Sequence, residues 1–131
     1  MANAATLICS GQVEEGTSIA LKAIEPLKGL RLFSHNAVYL MLGLALSHRH
    51  DEVLQWGEMV QNNIKNVPRN LLLMASSAAH LQQDDHARNF ASRLLKCHPD
   101  FTLGEMRVWP LKQPGGWDYV VEGLRAAGLP D

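Results

Sequence analysis

Apolar residues recur along this chain at the spacing of an α-helix. Two segments repeat the same intervals of three, four and seven residues, the first with Ala37, Leu40, Met41, Leu44 and Ala45, and the second with Leu71, Met74, Ala75, Ala78 and Ala79. These intervals place the side chains on one face of a helix. No stretch alternates apolar and polar residues for long enough to indicate a strand. The pattern therefore predicts an all-α protein.

A second set of matched positions follows each helical segment and indicates a repeat. Three copies share a bulky apolar residue followed at once by a small one: Ile19-Ala20, Trp56-Gly57 and Phe90-Ala91. A further column, three residues before the bulky one, contains Gly16, Val53 and Ala87. The copies lie 37 residues apart (16 to 53) and then 34 apart (53 to 87). Short side chains let two helices approach closely, so we predict stacked helical hairpins in close contact at the small residues.

Turn and capping residues give the boundaries of this organisation. Short polar corners at 11–12, 48–50 and 82–84 separate the two helices of each hairpin, Pro68 begins a helix, and Pro99 ends the last one. We expect residues 1–99 to form about two and a half hairpins and residues 100–131 to form a C-terminal capping segment. That segment is expected to contain a short helix at 101–109 and a final helix at 117–127, which Gly128 closes in the left-handed conformation.

The composition fits one globular domain and excludes several classes of partner. The chain has 131 residues, of which 47% are hydrophobic, and a formal net charge of −1. Because no run of Lys or Arg is present, we expect no binding to nucleic acid or to an acidic membrane surface. No apolar run reaches the about 20 residues that cross a bilayer. Two distant cysteines, Cys9 and Cys97, fit a reducing compartment, and we expect a cytoplasmic protein.

The matched positions resemble those of the tetratricopeptide repeat family. Its 34-residue unit favours small residues at the eighth and twentieth positions and a proline at the thirty-second, where the third copy has Ala75, Ala87 and Pro99. Met41 and Leu94 depart from the family's small residues. The resemblance covers about residues 4–99. It implies a right-handed superhelix of helical hairpins and a non-catalytic role in protein–protein or interdomain recognition.

The end of the chain carries a second, narrower resemblance. Residues 123–131, GLRAAGLPD, are similar to the ending of tetratricopeptide regions in alphaproteobacterial class III adenylate cyclases and related winged-helix regulators. In those proteins the repeats follow a catalytic or DNA-binding domain, and nothing in this sequence resembles either. The resemblance implies the C-terminal regulatory part of a larger bacterial signalling protein, or a free-standing short relative.

The tetratricopeptide resemblance also implies a partner-binding groove along the first helix of each hairpin. The corresponding positions are His35, Val38, Leu42, Ala45, Arg69, Leu72, Ser76 and Ala79. They contain a single fixed cation and no Lys or Asn, so a clamp for a peptide carboxylate is not expected. A mostly apolar groove suits an amphipathic helix, from a partner or from the same chain. The alternative is that the chain's own tail fills the groove.

Two other functional classes remain open from the sequence. A small metal- or thiol-dependent enzyme would use His48, His50 or Cys97, but neither HxxxH nor CxxC spacing is present. We therefore expect no catalytic residue, metal or cofactor. Homo-oligomerisation, as in a homodimer, would use an exposed edge of the first hairpin at Leu7 and Ile8.

Overall fold

The computed structural model of the chain describes residues 2–28, 30, 32–108 and 116–131, with the side chains of residues 2, 107 and 108 outside the description. Within these ranges there is no strand, and the α-helices are α1 (Ala2–Cys9), α2 (Val13–Ile24), α3 (Leu32–Leu46), α4 (His50–Asn63), α5 (Pro68–His80), α6 (Asp84–Cys97) and α7 (Gly116–Ala126). Short 3-10 helices span Glu25–Leu27 and Leu103–Val108. The all-α prediction is confirmed. The predicted end of the short helix at residue 109 lies outside the described residues.

Six of the helices pair in chain order as three hairpins. Helix α1 packs against α2, α3 against α4, and α5 against α6, while α2 and α4 also pack against the first helix of the next hairpin. The first helices of successive hairpins touch as well, α1 with α3 and α3 with α5. Helix α7 packs mainly on α5 and also touches α3. The tail therefore lies on the face formed by the first helices.

The three hairpins close with the same backbone turn. Gly11, His48 and Gln82 have φ values of 99°, 62° and 61°, in the left-handed region. At each turn, the backbone N–H of the next residue donates a hydrogen bond of 2.9 Å to the carbonyl oxygen five residues before it. The donor and acceptor residues are Gln12 and Leu7, Arg49 and Leu44, and Gln83 and Ala78. This is the Schellman pattern of helix ends. The turns lie 37 residues apart (11 to 48) and 34 apart (48 to 82), as the side-chain repeat does, and the predicted corners are confirmed.

Small residues occupy the close contacts between helices. A Cβ on Gly57 would lie 2.6 Å from Cγ and Sδ of Met74 in α5, and a Cβ on Gly16 would lie 2.9 Å from the carbonyl oxygen of Ala4 in α1. Ala20 and Ala91 are 0% and 4% exposed, so the predicted column of small residues is buried in all three copies.

The core runs along α3 and α5 because these helices are surrounded by others. In α5 every residue from 70 to 78 is buried, and in α3 every residue from 40 to 46. Neighbours on several sides leave these segments without a solvent face. Both helices are consequently buried on all sides in these segments, and not only along the single apolar stripe that the sequence predicts.

Candidate functional site

The predicted groove lies where α7 packs. Val38, Leu42, Ala45, Leu72 and Ser76 are all buried, whereas Ala79 is half-buried and His35 and Arg69 are exposed. The Ser76 hydroxyl donates a hydrogen bond of 3.0 Å to the carbonyl oxygen of Val120 in α7. The chain's own tail thus covers much of this face, which is the alternative that the sequence left open.

Helix α7 approaches α5 closely because it carries a glycine at the contact. A Cβ on Gly123 would lie 2.7 Å from the Ser76 carbonyl oxygen and 2.9 Å from Cδ2 of His80. On the same side of α7, Val120 and Leu124 are 1% and 0% exposed. Gly128 ends this segment with φ +98°, as predicted. The contact is thus both apolar and tightly fitted.

Three histidines and one tyrosine form the most polar part of this contact. The Tyr119 ring of α7 stacks between the rings of His48 and His80, with centroid distances of 4.3 and 3.9 Å and interplanar angles of 7° and 12°. The Tyr119 hydroxyl hydrogen-bonds Nε2 of His50. His80 Nε2 donates to the Tyr119 carbonyl oxygen at 2.8 Å. We call His48, His50 and His80 around Tyr119 the histidine clasp.

His50 is the buried centre of the histidine clasp. Its side chain lies at the start of α4, and Nδ1 is 3.0 Å from the hydroxyl of Ser77, a buried residue of α5. Burial, and next the neighbouring His80 and His48, lowers the pKa of His50 from 6.5 to about 4, although Asp51 acts in the opposite direction. Burial also raises the pKa of Tyr119, as does Glu122. Both groups are therefore neutral near pH 7.

Two of the candidate reactive residues from the sequence, His48 and His50, meet in the histidine clasp with ring centroids 6.1 Å apart. Among the described residues, no group of three His, Cys, Asp or Glu side chains is arranged to bind a metal ion. The Ser77 hydroxyl next to His50 belongs to a residue that is 0% exposed, so a substrate cannot reach it. Cys97 is exposed at the end of α6, and its Sγ lies 3.6 Å from the carbonyl oxygen of Asn66.

A second surface, at one end of the α3–α4 hairpin, exposes large apolar side chains. We call it the apolar end; it comprises Leu30, Leu32, Met59 and Ile64, which are 53%, 61%, 37% and 46% exposed. Beside it is a cavity of about 210 Å³, lined by Lys28, Phe33, Met59, Asn62 and Asn63. Asn63, the last residue of α4, connects this helix to the start of α3. Its side chain accepts a hydrogen bond of 2.7 Å from the Ser34 hydroxyl and donates one of 3.4 Å to the Leu30 carbonyl oxygen.

The N-terminal edge differs from the expectation. Ile8 is 0% exposed because it fills the space beside two glycines, Gly16 of α2 and Gly43 of α3. Leu7 is half-buried. The prediction of an exposed apolar edge at these two residues is therefore wrong for Ile8, because its contact with Gly43 joins segments that are distant in the sequence.

Comparison with protein-family models, with curated proteins and with solved structures finds no match to this chain. None of the helices in the described ranges combines the length and the apolar character that a bilayer span needs. The residues and contacts described above are therefore the basis of any functional proposal.

Proposed function

We propose that this chain is a non-catalytic protein-interaction module of the tetratricopeptide type. It belongs to the C-terminal regulatory part of a larger bacterial signalling protein and acts in the cytoplasm. Three hairpins in chain order support this proposal, together with turns at Gly11, His48 and Gln82 that repeat at the intervals of the side-chain columns. Stacked hairpins of this kind typically serve as binding scaffolds.

The apolar end is the surface that we assign to the interaction. Four large apolar side chains are exposed together there, next to a cavity and an exposed lysine, Lys28. Large apolar side chains gathered on a surface typically mark an interaction site. The groove along α3 and α5, in contrast, is occupied at Ser76 by α7. We infer that an amphipathic helix, from a partner or from another domain of the same chain, packs its apolar face on the apolar end.

Site-specific photo-crosslinking in the source cells tests this assignment. Asn62 is exposed and lines the cavity at the apolar end, and Asn89 is an exposed asparagine on α6. With the crosslinker at position 62, we expect one discrete protein adduct, which mass spectrometry identifies. With the crosslinker at position 89, we expect no such adduct.

A pair of surface substitutions makes the test specific. Met59→Lys places a charge at the apolar end and should abolish the adduct, whereas Gln55→Lys, at another exposed position of α4, should leave it unchanged. The proposal is contradicted if the adduct persists in Met59→Lys or forms equally from position 89. An adduct made of two copies of this chain would favour the homodimer instead.

A further inference from the structure

A single side chain of α7 is held by three separate parts of the hairpin array. Tyr119 contacts His48 in the corner between α3 and α4, His50 at the start of α4, and His80 at the end of α5. The second and third hairpins both contribute. A change in these histidines therefore acts directly on the attachment of α7.

The charged and titratable groups around His50 come from each element packed against it. His48 lies in the corner, Asp51 on α4 and His80 on α5. On α7, Glu122 acts on Tyr119, the partner of His50. Arg49, also in the corner, pairs with Glu52 at 2.6 Å. The hydrogen-bond partners of His50 itself are the hydroxyls of Ser77 and Tyr119, and a hydroxyl does not neutralise a cation as a carboxylate does.

A neutral His50 suits this environment, because one ring nitrogen donates and the other accepts. A protonated His50 would be a buried cation, with its ring centroid 5.2 Å from that of His80 and 6.1 Å from that of His48. No carboxylate hydrogen-bonds the His50 ring to compensate such a charge. Release of α7 would return the His50 side chain to water.

We propose that the histidine clasp is a protonation-sensitive latch, which holds α7 over the α3–α5 face at neutral pH and releases it when His50 is protonated. Release uncovers Ser76, whose hydroxyl bonds the carbonyl of Val120 in the closed state. The latch itself does not require a partner.

The direction and size of the pH effect follow from linkage. The pKa of His50 falls from 6.5 to about 4 in the folded chain, so the open state binds the proton more tightly. Acid therefore favours opening, from about pH 6.5 down to about pH 4. If His50 has the ordinary histidine pKa once α7 is released, the equilibrium constant for opening of α7 increases about tenfold as the pH falls from about 7.5 to about 5.5.

Amide hydrogen exchange of the full chain, read by NMR and corrected for the intrinsic effect of pH, tests the latch. Amides of Val120 and Leu124 report on α7, and those of Ala20 and Ile24 report on α2. We expect the opening of α7 to increase about tenfold over this range, while α2 changes much less. Equal changes in both helices, or no change in α7, would overturn the proposal.

A variant and a wild-type titration connect the effect to His50. His50→Gln retains a donor and an acceptor but does not titrate, so the pH response of α7 should be lost. A response of unchanged size in this variant would refute the role of His50. The NMR titration of the His50 ring needs no substitution. An ordinary pKa near 6.5 for that ring would overturn the latch even if the variant failed to fold.

The two proposals fail separately. If the opening of α7 does not depend on pH, the latch proposal is wrong, and the crosslink at the apolar end is still expected. If no specific crosslink forms, the proposed interaction surface is wrong, and the exchange data still support the latch.

Discussion

Gly123→Ala tests whether the close approach of α7 to α5 stabilises the chain. In a solvent-facing helix this substitution stabilises by about 1 kcal/mol, since alanine is the better helix former. Here the new Cβ would lie 2.7 Å from the Ser76 carbonyl oxygen, 2.5 Å from its hydroxyl oxygen and 2.9 Å from His80 Cδ2. The first of these is a backbone atom of α5, which cannot rotate aside. Helix α7 must therefore move away.

The magnitude follows from two losses and one gain. Overpacking of this kind costs about 1–3 kcal/mol, and the Ser76–Val120 hydrogen bond of 3.0 Å contributes about 1 kcal/mol net. The gain in helix propensity offsets about 1 kcal/mol. We therefore expect Gly123→Ala to lower the free energy of unfolding by about 1–3 kcal/mol.

Urea unfolding followed by circular dichroism measures this change. Gly104→Ala is the matched control, because the nearest atom to its Cβ would be Thr102 Oγ1 at 3.7 Å, and we expect a change within about 0.5 kcal/mol. A Gly123→Ala chain as stable as the wild type, or more stable, would refute the assigned packing of α7 on α5.

Three further predictions concern the repeat and the histidine clasp. Gly57→Leu should cost about 1–3 kcal/mol by overpacking against Met74, and an unchanged melting temperature would contradict the predicted repeat. Gln82→Gly should raise the free energy of unfolding by up to about 1 kcal/mol, since glycine adopts the left-handed φ of 61° without strain. His48→Gly should raise it by less, because this substitution also removes the ring that stacks on Tyr119. If denaturation curves show equal increases for the two variants, that stack does not stabilise the chain. The pKa of His50 is lowered to about 4, so the stability that its neutral form contributes is complete above about pH 6.5 and is lost as the pH falls towards 4. A pKa lowered by this much corresponds to a loss of about 3 kcal/mol, and unfolding free energies that stay level across that window would disprove it.

Local sequence signals predicted the elements and their ends. The columns of small and bulky residues at Trp56-Gly57 and Phe90-Ala91 lie within α4 and α6. Pro68 does begin α5, and Gly128 does adopt the left-handed conformation. Each of these features depends on a few neighbouring residues, which is why the sequence reveals them.

Contacts between distant segments could not be predicted in the same way. The histidine clasp joins positions 48, 50, 80 and 119, and neither repeat interval, 34 or 37 residues, separates one of these positions from the next. The sequence presents His48 and His50 only as candidate metal ligands and gives no indication that Tyr119 lies beside them. The position of α7 depends on Gly123 and Ser76, which meet across 47 residues. Only the packed helices show that such small side chains face each other.

The attachment of Tyr119 also determines how the chain comes apart. In an array whose units touch only their neighbours, each unit can open independently. While α7 is closed, Tyr119 joins the corner of the second hairpin to the end of the third, so these two hairpins unfold as one cooperative unit. Helices α1 and α2 lie outside this connection, and on gradual heating they should melt first, ahead of the remaining helices.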